Sequence, residues 1–435
     1  MIQIINACDF ETRRFMREAY SPDVAAVVSG IIADVIKRGD EALREYTAKF
    51  DGCSLDSFEV TSDEISAAME ATDSEFIATM RRAADNIRNF HLRQIRQGFI
   101  MTPGNGVVIG QRILPISRAG QYMPGGTASY PSSVLMNCIP AKIAGVGEII
   151  MATPPSRDGS IDAGILAAAS IAGADRIFKI GGAQAIAAMA YGTETIPRVD
   201  KITGPGNAYV AEAKRQVFGI VGIEMIAGPS DITVIADCEA DPALVAADML
   251  SQCEHGEDSI AVLITDSPAL AEKAGAEIEA QIPNLPRGMI ARASIDRLGR
   301  IIIAESIGQA FDIANDLAPE HLEIFLEEPF SYLDMVRNAG SVFLGKNTPE
   351  AVGDYYAGPN HTLPTSGTAR FSSPLSVDDF IKKSSFTYYS ADALDIAGGD
   401  IALFAEKEGF AAHAASVSKR LRGEMQGEMQ GEVHR

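Results

Sequence analysis

A glutamate and a histidine stand side by side in the segment LAPEHLEI, residues 317–324. A carboxylate and an imidazole are among the groups that most often move protons in enzymes. Because neighbouring residues on a helix or a strand point in different directions, Glu320 and His321 cannot share one face. The pair is therefore either two unrelated surface residues or two groups with separate roles on one substrate.

A second set of residues has the chemistry of a metal site. In SQCEHG, Gln252 and His255 are three residues apart, so on a helix they share a face and could hold a divalent cation. Glutamine is an uncommon zinc ligand, and on this pattern alone a solvated helix end is the better interpretation. Asp354, in the turn VGDYYAGPNH, could supply a carboxylate, and His413, near the C-terminus, could supply a second imidazole.

Cys253 lies between the candidate ligands Gln252 and His255 and invites a covalent mechanism with a thiol nucleophile. On a helix, its side chain would point about 100° away from that of Gln252. We therefore interpret Cys253 as a packing residue.

Glycine-rich segments before helical runs indicate a possible nucleotide site. Gln184 and Asn207 stand beside glycines at helix starts in IGGAQAIAAMAYG and KITGPGNAYVAEAKRQV. Free N–H groups at helix N-termini favour anions such as pyrophosphate, although an ordinary turn explains either motif alone about equally well. Tyr122, in the loop GQYMPGGTASYPSS, could lie against a base or ribose, and Ser230 directly precedes a predicted strand. No GxGxxG fingerprint opens a helix, so a dinucleotide would bind without it.

Helical and strand-like segments alternate along most of the chain and predict an α/β fold with parallel sheets covered by helices. Residues 24–49 and 61–97 have helical apolar spacing, and two blocks of strand–helix units occupy residues 122–229 and 230–375. A C-terminal helical pattern is broken at Gly398–Gly399. The predicted strands are VVIGQRILPI (107–116), EIIMATPP (148–155), RIFKIGG (176–182), ITVIADC (232–238), IAVLITD (260–266), IIIAES (301–306), SVFLG (341–345) and residues 384–391.

The composition limits the classes of function. The 435 residues are 46% hydrophobic and 22% charged, which is ordinary for a globular protein of two or more domains. A net charge of −21 repels nucleic acid and anionic lipid, so we expect neither partner. There is no apolar run long enough for a transmembrane helix and no visible signal peptide, so we expect a cytoplasmic location. The five cysteines form no CxxC pair, which fits reduced thiols.

The residues by themselves leave two enzyme classes open. One is an oxidoreductase with a metal site, an acid–base pair and a nucleotide site. The other is a metal-dependent hydrolase in which Glu320 activates water, although the lack of an HExxH motif weakens it.

Ten ordered motifs resemble the histidinol dehydrogenase family, over about residues 4–422. They are GDEALREYTAKFD, YMPGGTASYPSSVLM, GGAQAIAAMAYGTE, VDKITGPGNAYVAEAKRQV, AGPSDI, MLSQCEHGEDS, APEHLE, GSVFLG, VGDYYAGPNHTLPTSGTAR and EGFAAH. One departure is Asp231 after Ser230, where the family more often has glutamate.

The resemblance implies a zinc- and NAD-dependent enzyme of histidine biosynthesis. Such an enzyme oxidises L-histidinol to L-histidine through histidinal with two NAD, and its active sites are shared within a homodimer. Carried over by motif, Glu320 and His321 are the proton acceptors. The other implied sites are zinc ligands Gln252, His255, Asp354 and, from the neighbouring subunit, His413; NAD contacts Tyr122, Gln184 and Asn207; and substrate contacts Ser230, His321 and Glu408 together with the metal ligands.

The resemblance also implies two incomplete Rossmann-like domains with parallel-rich sheets, plus small helical N- and C-terminal segments. We expect an N-terminal segment at 1–20 and a larger domain for substrate and zinc, formed by 21–121 and 230–375. An NAD domain at 122–229 and a C-terminal segment at 376–435 complete the expected division. The C-terminal segment would reach the partner subunit, with a disordered tail at 423–435.

Two rivals to this identification stay open at this point. A sister zinc/NAD dehydrogenase of another small alcohol, such as a sulfopropanediol, should keep the Glu–His pair and the NAD loops. Retention of both Glu408 and His413 favours histidinol over such a substrate. A non-catalytic NAD- or metal-binding regulator is the second rival, and the intact Glu320–His321 pair argues against it.

Overall fold

The structure is a computed structural model and describes residues 2–12, 15, 24–125, 129–226 and 228–422. Its strands are β1 Gln3–Asn6, β2 Phe99–Gly104, β3 Val107–Pro115, β4 Arg118–Tyr122, β5 Glu148–Thr153, β6 Arg176–Lys179, β7 Lys201–Thr203, β8 Gly222–Ile223, β9 Asp231–Ala236, β10 Ile260–Thr265, β11 Arg300–Ile303, β12 His321–Phe325, β13 Ser341–Leu344 and β14 Ile381–Tyr389. Its α-helices are α1 Val24–Arg38, α2 Asp40–Phe50, α3 Ser62–Ala71, α4 Ser74–His91, α5 Pro131–Ala144, α6 Ala163–Ala172, α7 Gly182–Tyr191, α8 Ala208–Val217, α9 Pro242–Cys253, α10 Pro268–Gln281, α11 Gly288–Leu298, α12 Ile307–Leu317, α13 Glu350–Tyr355, α14 Ala391–Lys407 and α15 Ala411–Ser418.

Two parallel sheets organise most of the chain and confirm the α/β class. The larger sheet has the strand order β1-β11-β10-β9-β12-β13, and every pair in it is parallel. Strands β9 and β10 are buried at every position, because helices cover both faces of such a sheet. Their continuous apolar runs could therefore be recognised as strands from the sequence.

The second sheet has the order β6-β5-β4-β7-β8 and is also parallel throughout. The chain enters it at β4, adds β5 and β6 on one side, and then crosses to add β7 and β8 on the other. The direction of winding therefore reverses at β4. In open α/β sheets, ligands bind outside the carboxyl ends of the strands at such a reversal.

The two long N-terminal helical patterns are each divided in the structure. Gly39, with a φ of 55°, separates α1 from α2, and an added Cβ there would lie 2.3 Å from Glu194 Oε2. Asp73 separates α3 from α4, and its carboxylate accepts a hydrogen bond from the Phe76 N–H as the N-cap of α4. Apolar periodicity continued across both breaks and concealed them.

Contacts divide the chain into two units, the first comprising Met1–Ile95 and Ile116–Phe380 and the second Arg96–Pro115 and Ile381–Arg435. Both parallel sheets belong to the first unit. Within it, helices α1, α3 and α4 pack on helices of the five-stranded sheet. The domain bounds expected from the sequence stay a prediction. Part of the segment 1–20 and all of the segment 423–435 lie outside the described residues.

The second unit contains a three-stranded antiparallel sheet, β14-β3-β2, and the helix pair α14–α15. The expectation that residues 107–116 join the parallel strands is therefore wrong. The expected helix break at Gly398–Gly399 is also wrong, since both glycines lie inside α14. The break comes at Gly409, whose φ of 84° ends the helix just after Glu408.

Candidate active site

Glu320 and His321 lie at the start of β12, which is next to the edge strand β13 in the six-stranded sheet. Helix α12 ends at Leu317, Ala318 adopts a left-handed conformation with a φ of 51°, and the chain then enters the strand at His321. His321 pairs in register with Ile232 of β9. His321 is therefore a strand residue, whereas Glu320 directly precedes the strand.

Glu320 is held by a reciprocal pair of hydrogen bonds with Asp231. The Glu320 N–H donates to Asp231 Oδ1 at 2.8 Å, and the Asp231 N–H donates to Glu320 Oε2 at 3.0 Å. Both side chains are buried, and burial raises the pKa of Glu320 to about 8 and that of Asp231 to about 6. The starts of β9 and β12 are thus tied together, and the Glu320 carboxyl is kept in one orientation.

His321 has its two ring nitrogens in different surroundings. Nδ1 lies 3.0 Å from the Asp231 carbonyl oxygen, which can only accept, so this nitrogen carries a proton. Nε2 is buried, has no hydrogen-bond partner, and lies 3.8 Å from Glu350 Oε1 and 3.7 Å from Asp354 Oδ1. Burial lowers the pKa of His321, but the charges of Glu350 and Glu320 outweigh it and raise the pKa well above its usual value. The imidazole is thus fixed at one end and faces carboxylates at the other.

A group suited to a cation adjoins His321. His255, Glu350 and Asp354 each offer a ligand atom, and these atoms all lie within 4.8 Å of one another. Hydrogen bonding orients the Gln252 amide so that its nitrogen donates to Glu350 Oε1 at 2.6 Å, while its oxygen accepts from the Asp231 N–H and His321 Nδ1 at 3.2 Å. Two adjacent carboxylates, one of them buried, with an imidazole and an amide beside them are a donor set that fits a divalent cation.

The geometry brings together three of the sequence-derived metal candidates, Gln252, His255 and Asp354. Gln252 is the buried penultimate residue of α9, which ends at Cys253. His255 follows the helix and is exposed. Burial raises the pKa of Asp354, but its interactions with the imidazoles of His321, His361 and His255 outweigh this effect and lower that pKa below its usual value.

Glu350 was missed by the sequence analysis. It is the first residue of α13, is buried, and its backbone N–H donates to Glu323 Oε1 at 2.8 Å. Burial raises the pKa of the Glu350 carboxyl to about 7. Its spacing of four residues from Asp354 puts both carboxylates on one helical face, which is the signal that could have found it.

Ser230 and His361 occupy supporting positions. Ser230 directly precedes β9, as expected, and its carbonyl oxygen accepts from the Ile260 N–H at 3.0 Å. His361 Nδ1 lies 2.9 Å from the carbonyl oxygen of Asp354, and its Nε2 lies 3.0 Å from Ser133 Oγ. This histidine therefore braces the backbone at the end of α13.

The three nucleotide candidates follow strands of the five-stranded sheet at their carboxyl ends. Tyr122 is the last residue of β4, and its buried hydroxyl accepts from the Gly182 N–H at 3.0 Å. Gln184 lies in the first turn of α7, after β6, with a buried Oε1 that has no hydrogen-bond partner. Asn207 caps α8, after β7, and accepts from the N–H groups of Tyr209 and Val210. All three therefore lie on the edge where the winding of the sheet reverses.

Glu408 and His413 belong to the second unit, and both are exposed. Glu408 is the C-cap of α14, and His413 lies in the first turn of α15, with its ring 5.3 Å from that of Phe410. Because Gly409 interrupts the helix between them, the divergence of about 140° expected on a regular helix does not apply.

Cys253 is fully buried in the core beside the six-stranded sheet. Burial raises the pKa of its thiol to about 12, so the thiolate form is disfavoured at neutral pH. These surroundings support a packing role rather than a nucleophilic one.

Comparison with known proteins gives one consistent result. The model of the histidinol dehydrogenase family matches residues 15–421. The histidinol dehydrogenase of Geobacillus kaustophilus (strain HTA426) is 52% identical over 408 residues, covering 94% of this chain and 96% of the relative. A Bacillus cereus (strain ATCC 10987 / NRS 248) histidinol dehydrogenase is 54% identical over 397 residues, covering 91% and 92%.

A solved structure agrees with these relatives. The crystal structure of histidinol dehydrogenase from Elizabethkingia anophelis is 41% identical, covers 97% of this chain and 98% of its own, and superposes with a TM-score of 0.92. The matches confirm the resemblance seen in the motifs and give no support to a dehydrogenase of another small alcohol. The chain therefore belongs to the histidinol dehydrogenase family of oxidoreductases.

Proposed function

We propose that this chain catalyses the four-electron oxidation of L-histidinol to L-histidine through histidinal, using two NAD, as the final step of histidine biosynthesis. The observation that carries the proposal is the buried Glu320–His321 pair beside the group His255, Glu350 and Asp354. Two proton acceptors that face different directions suit a substrate carbon oxidised twice, first as an alcohol and then as a hydrated aldehyde.

The metal part of the proposal is one zinc ion per subunit. Gln252, His255 and Asp354 would hold it together with His413 of the partner subunit. The donor chemistry fits, since an imidazole and carboxylate oxygens lie within 4.8 Å of one another and the Gln252 amide contacts Glu350. When bound, such an ion orients the imidazole and the amine of the substrate.

His321 is proposed to accept the alcohol proton in its neutral form, which a cation bound beside Glu350 and Asp354 would favour by offsetting the charges that raise the pKa of His321. Its Nδ1–H is bonded to the Asp231 carbonyl, so Nε2 is the nitrogen left to exchange a proton with substrate. NAD, when bound, accepts the hydride that leaves the same carbon. His321 would act again when the hydrated aldehyde loses its hydroxyl proton. Ser230 and Glu408 are proposed to contact the substrate alongside His321 and the metal ligands.

Glu320 is proposed to accept the proton of the water that hydrates histidinal. Its carboxyl is anchored through Oε2 to the Asp231 N–H, which leaves Oε1 available for a water molecule. Because Glu320 precedes the strand and His321 begins it, the two side chains leave the backbone in different directions. Water would thus be activated from a side of the carbon different from the one that faces His321.

Tyr122, Gln184 and Asn207 are proposed to line the NAD site. Their position at the carboxyl edge of the five-stranded sheet, around the reversal at β4, supports this assignment. The buried, unpartnered Oε1 of Gln184 is an acceptor available to a ligand donor.

A homodimer with shared active sites is also proposed. Its support is the exposed apolar surface of the second unit. Strand β2 is exposed at every position, including Phe99, Ile100 and Met101, each more than half exposed. On α14, Ile396 and Phe404 are about 70% exposed. Apolar side chains at this density usually mark an interface between subunits. The described helices include none that is long and apolar enough to cross a membrane, and the cytoplasmic location stays a prediction.

One assay tests the proposal. Purified protein is incubated with L-histidinol and excess NAD, and the NADH formed per histidinol consumed is measured, with a sulfonated propanediol as the competing substrate. Two NADH per histidinol, lost after prolonged chelation and regained with zinc, is the expected result. A ratio of one, or turnover of the propanediol alone, contradicts it.

A further inference from the structure

A fully buried ion pair lies beside the glycine-rich loop of the five-stranded sheet. Lys214 Nζ, on α8, lies 2.6 Å from Glu224 Oε1, and each side chain is only 1% exposed. Removing two charges from water is costly unless further hydrogen bonds compensate, so a buried pair of this kind is retained where its orientation matters. Neither residue belongs to the sites described above.

Both charged groups hold the same residue of the loop. Lys214 Nζ donates to the Gly204 carbonyl oxygen at 3.1 Å, and the Gly204 N–H donates to Glu224 Oε1 at 2.8 Å. Both the N–H and the carbonyl of Gly204 are therefore hydrogen-bonded to the same ion pair.

At Gly204, the loop packs directly against the end of β4. Gly204 has a φ of 119°, and a Cβ added there would lie 1.9 Å from the Tyr122 carbonyl oxygen. Only glycine fits such a conformation and such an approach. Three residues later, Asn207 caps α8. The ion pair thus sets the position of Asn207 relative to Tyr122, and these are two of the three proposed NAD contacts.

We propose that Lys214 and Glu224 are positioning residues for NAD binding, which fix the loop Gly204–Asn207 against Tyr122 in the shape that the dinucleotide requires. The proposal rests on the proposed function, because it assumes that NAD binds at this edge. Neither side chain needs to touch NAD. Their effect is to keep backbone and side-chain donors of the loop in place before the dinucleotide arrives.

Three variants separate positioning from simple stabilisation. Lys214→Met leaves Glu224 buried without its partner and should lower the melting temperature as well as the affinity for NAD. Lys214→Met/Glu224→Gln removes both charges and should recover most of the melting temperature. It still lacks the donor to Gly204, so its KM and Kd for NAD should stay raised by about tenfold, the effect of one lost hydrogen bond at the upper end of the usual range. Glu224→Gln alone keeps an acceptor for the Gly204 N–H and should show a smaller rise.

Lys142→Met is the matched control. Lys142 pairs with Asp175 at 2.8 Å at the opposite, amino-terminal edge of the same sheet. Its loss should leave the KM for NAD unchanged. In all variants the KM for histidinol and the zinc content should equal those of the unaltered protein. The loop follows β7 of the five-stranded sheet, whereas His255, Glu350 and Asp354 lie close to His321 of the six-stranded sheet.

The measurements are NAD titration by calorimetry, steady-state kinetics and thermal melting on the full-length protein. If the unaltered protein does not bind NAD, the proposed function fails. If it does bind NAD and the double variant regains NAD affinity together with its melting temperature, the ion pair is only structural and the inference is overturned. Equal NAD affinity in all four variants, including Lys142→Met, overturns it as well. The inference is supported if the double variant recovers its melting temperature and binds histidinol normally but has a raised Kd for NAD.

Discussion

Replacing Glu320 with glutamine should separate the two oxidation steps. Glutamine is nearly isosteric, and its amide oxygen can keep accepting the hydrogen bond from the Asp231 N–H that is 3.0 Å long in the structure. The fold around β9 and β12 should therefore survive. The amide cannot accept a proton from water, so hydration of histidinal would lose its proposed base, while the proposed role of His321 in the alcohol step would be kept.

The size of the loss follows from the role of a general base. Such a group contributes about 10²- to 10⁴-fold to a rate, so the free-energy barrier of the histidinal step should rise by about 3–5 kcal/mol in Glu320→Gln. The rate of the alcohol step should fall much less than that of the histidinal step. Burial holds the pKa of Glu320 at about 8, so the histidinal step of the unaltered enzyme should speed up as the pH rises towards that value and the carboxyl loses its proton. A nearby cation shifts this rise to lower pH. In Glu320→Gln the rise should be absent.

The assay supplies histidinol or histidinal separately and follows NADH in rapid-mixing single turnovers between pH 6 and 9. His321→Asn is the contrasting variant and should slow both steps, because the imidazole is proposed to act in each. Glu257→Gln, an exposed acid in the loop after α9, is the control and should behave like the unaltered enzyme. If Glu320→Gln stalls only the alcohol step, or keeps the pH-dependent rise with histidinal, the proposed division of labour is wrong.

Three further predictions concern packing, metal and pH. Cys253→Ala should keep most activity and lose about 1 kcal/mol of unfolding free energy in a denaturant titration, since the thiol is buried and disfavoured as a thiolate; complete inactivation of a folded variant would contradict this. Asp354→Asn should lower the zinc bound per subunit after dialysis, as measured by elemental analysis, because it removes an anionic donor beside His255; unchanged stoichiometry would exclude Asp354 as a ligand. Burial raises the pKa of Asp51 from 3.8 to about 6, so the folded chain binds this proton more tightly than the unfolded chain and stability should fall as the pH rises from about 4 to 6. Asp51→Asn should therefore be more stable by roughly 1 kcal/mol at pH 7, a value reduced for its partial exposure, and no more stable at pH 3.5, as thermal melts at the two pH values would show.

Strands β9 and β10 could be predicted from the sequence because their environment is the same at every position. In β9 and β10, every side chain is buried between helices, so the residues form unbroken apolar runs. Strand β12 was missed because its segment carries the buried polar residues His321 and Glu323. Their hydrogen-bond partners come from distant parts of the chain, and no local pattern shows that such residues can be buried.

Site residues that lie together in one short motif could be predicted from the sequence. Site residues that only the fold brings together were harder to predict. Gln252 and His255 share one short segment, and their spacing suggested a cation. Glu350 is separated from His255 by 94 residues, and it meets that histidine only because α13 packs near the end of α9. Asp231 stood out only as a departure from the family pattern, yet it anchors Glu320 through two hydrogen bonds.

Polar contacts connect the group His255, Glu350 and Asp354 with the helix that follows β4 of the five-stranded sheet. Helix α5 starts at Pro131, after the loop that follows β4, and its Ser133 hydroxyl lies 3.0 Å from His361 Nε2. One turn later, Asn137 donates to Thr362 Oγ1 at 3.2 Å. Since His361 Nδ1 also contacts the Asp354 carbonyl, a shift of α5 would move Asp354, a proposed metal ligand. Directional hydrogen bonds fix orientation more tightly than apolar contacts do. The proposed hydride transfer from substrate to NAD would need that precision, because the reacting atoms must meet within about 3–3.5 Å.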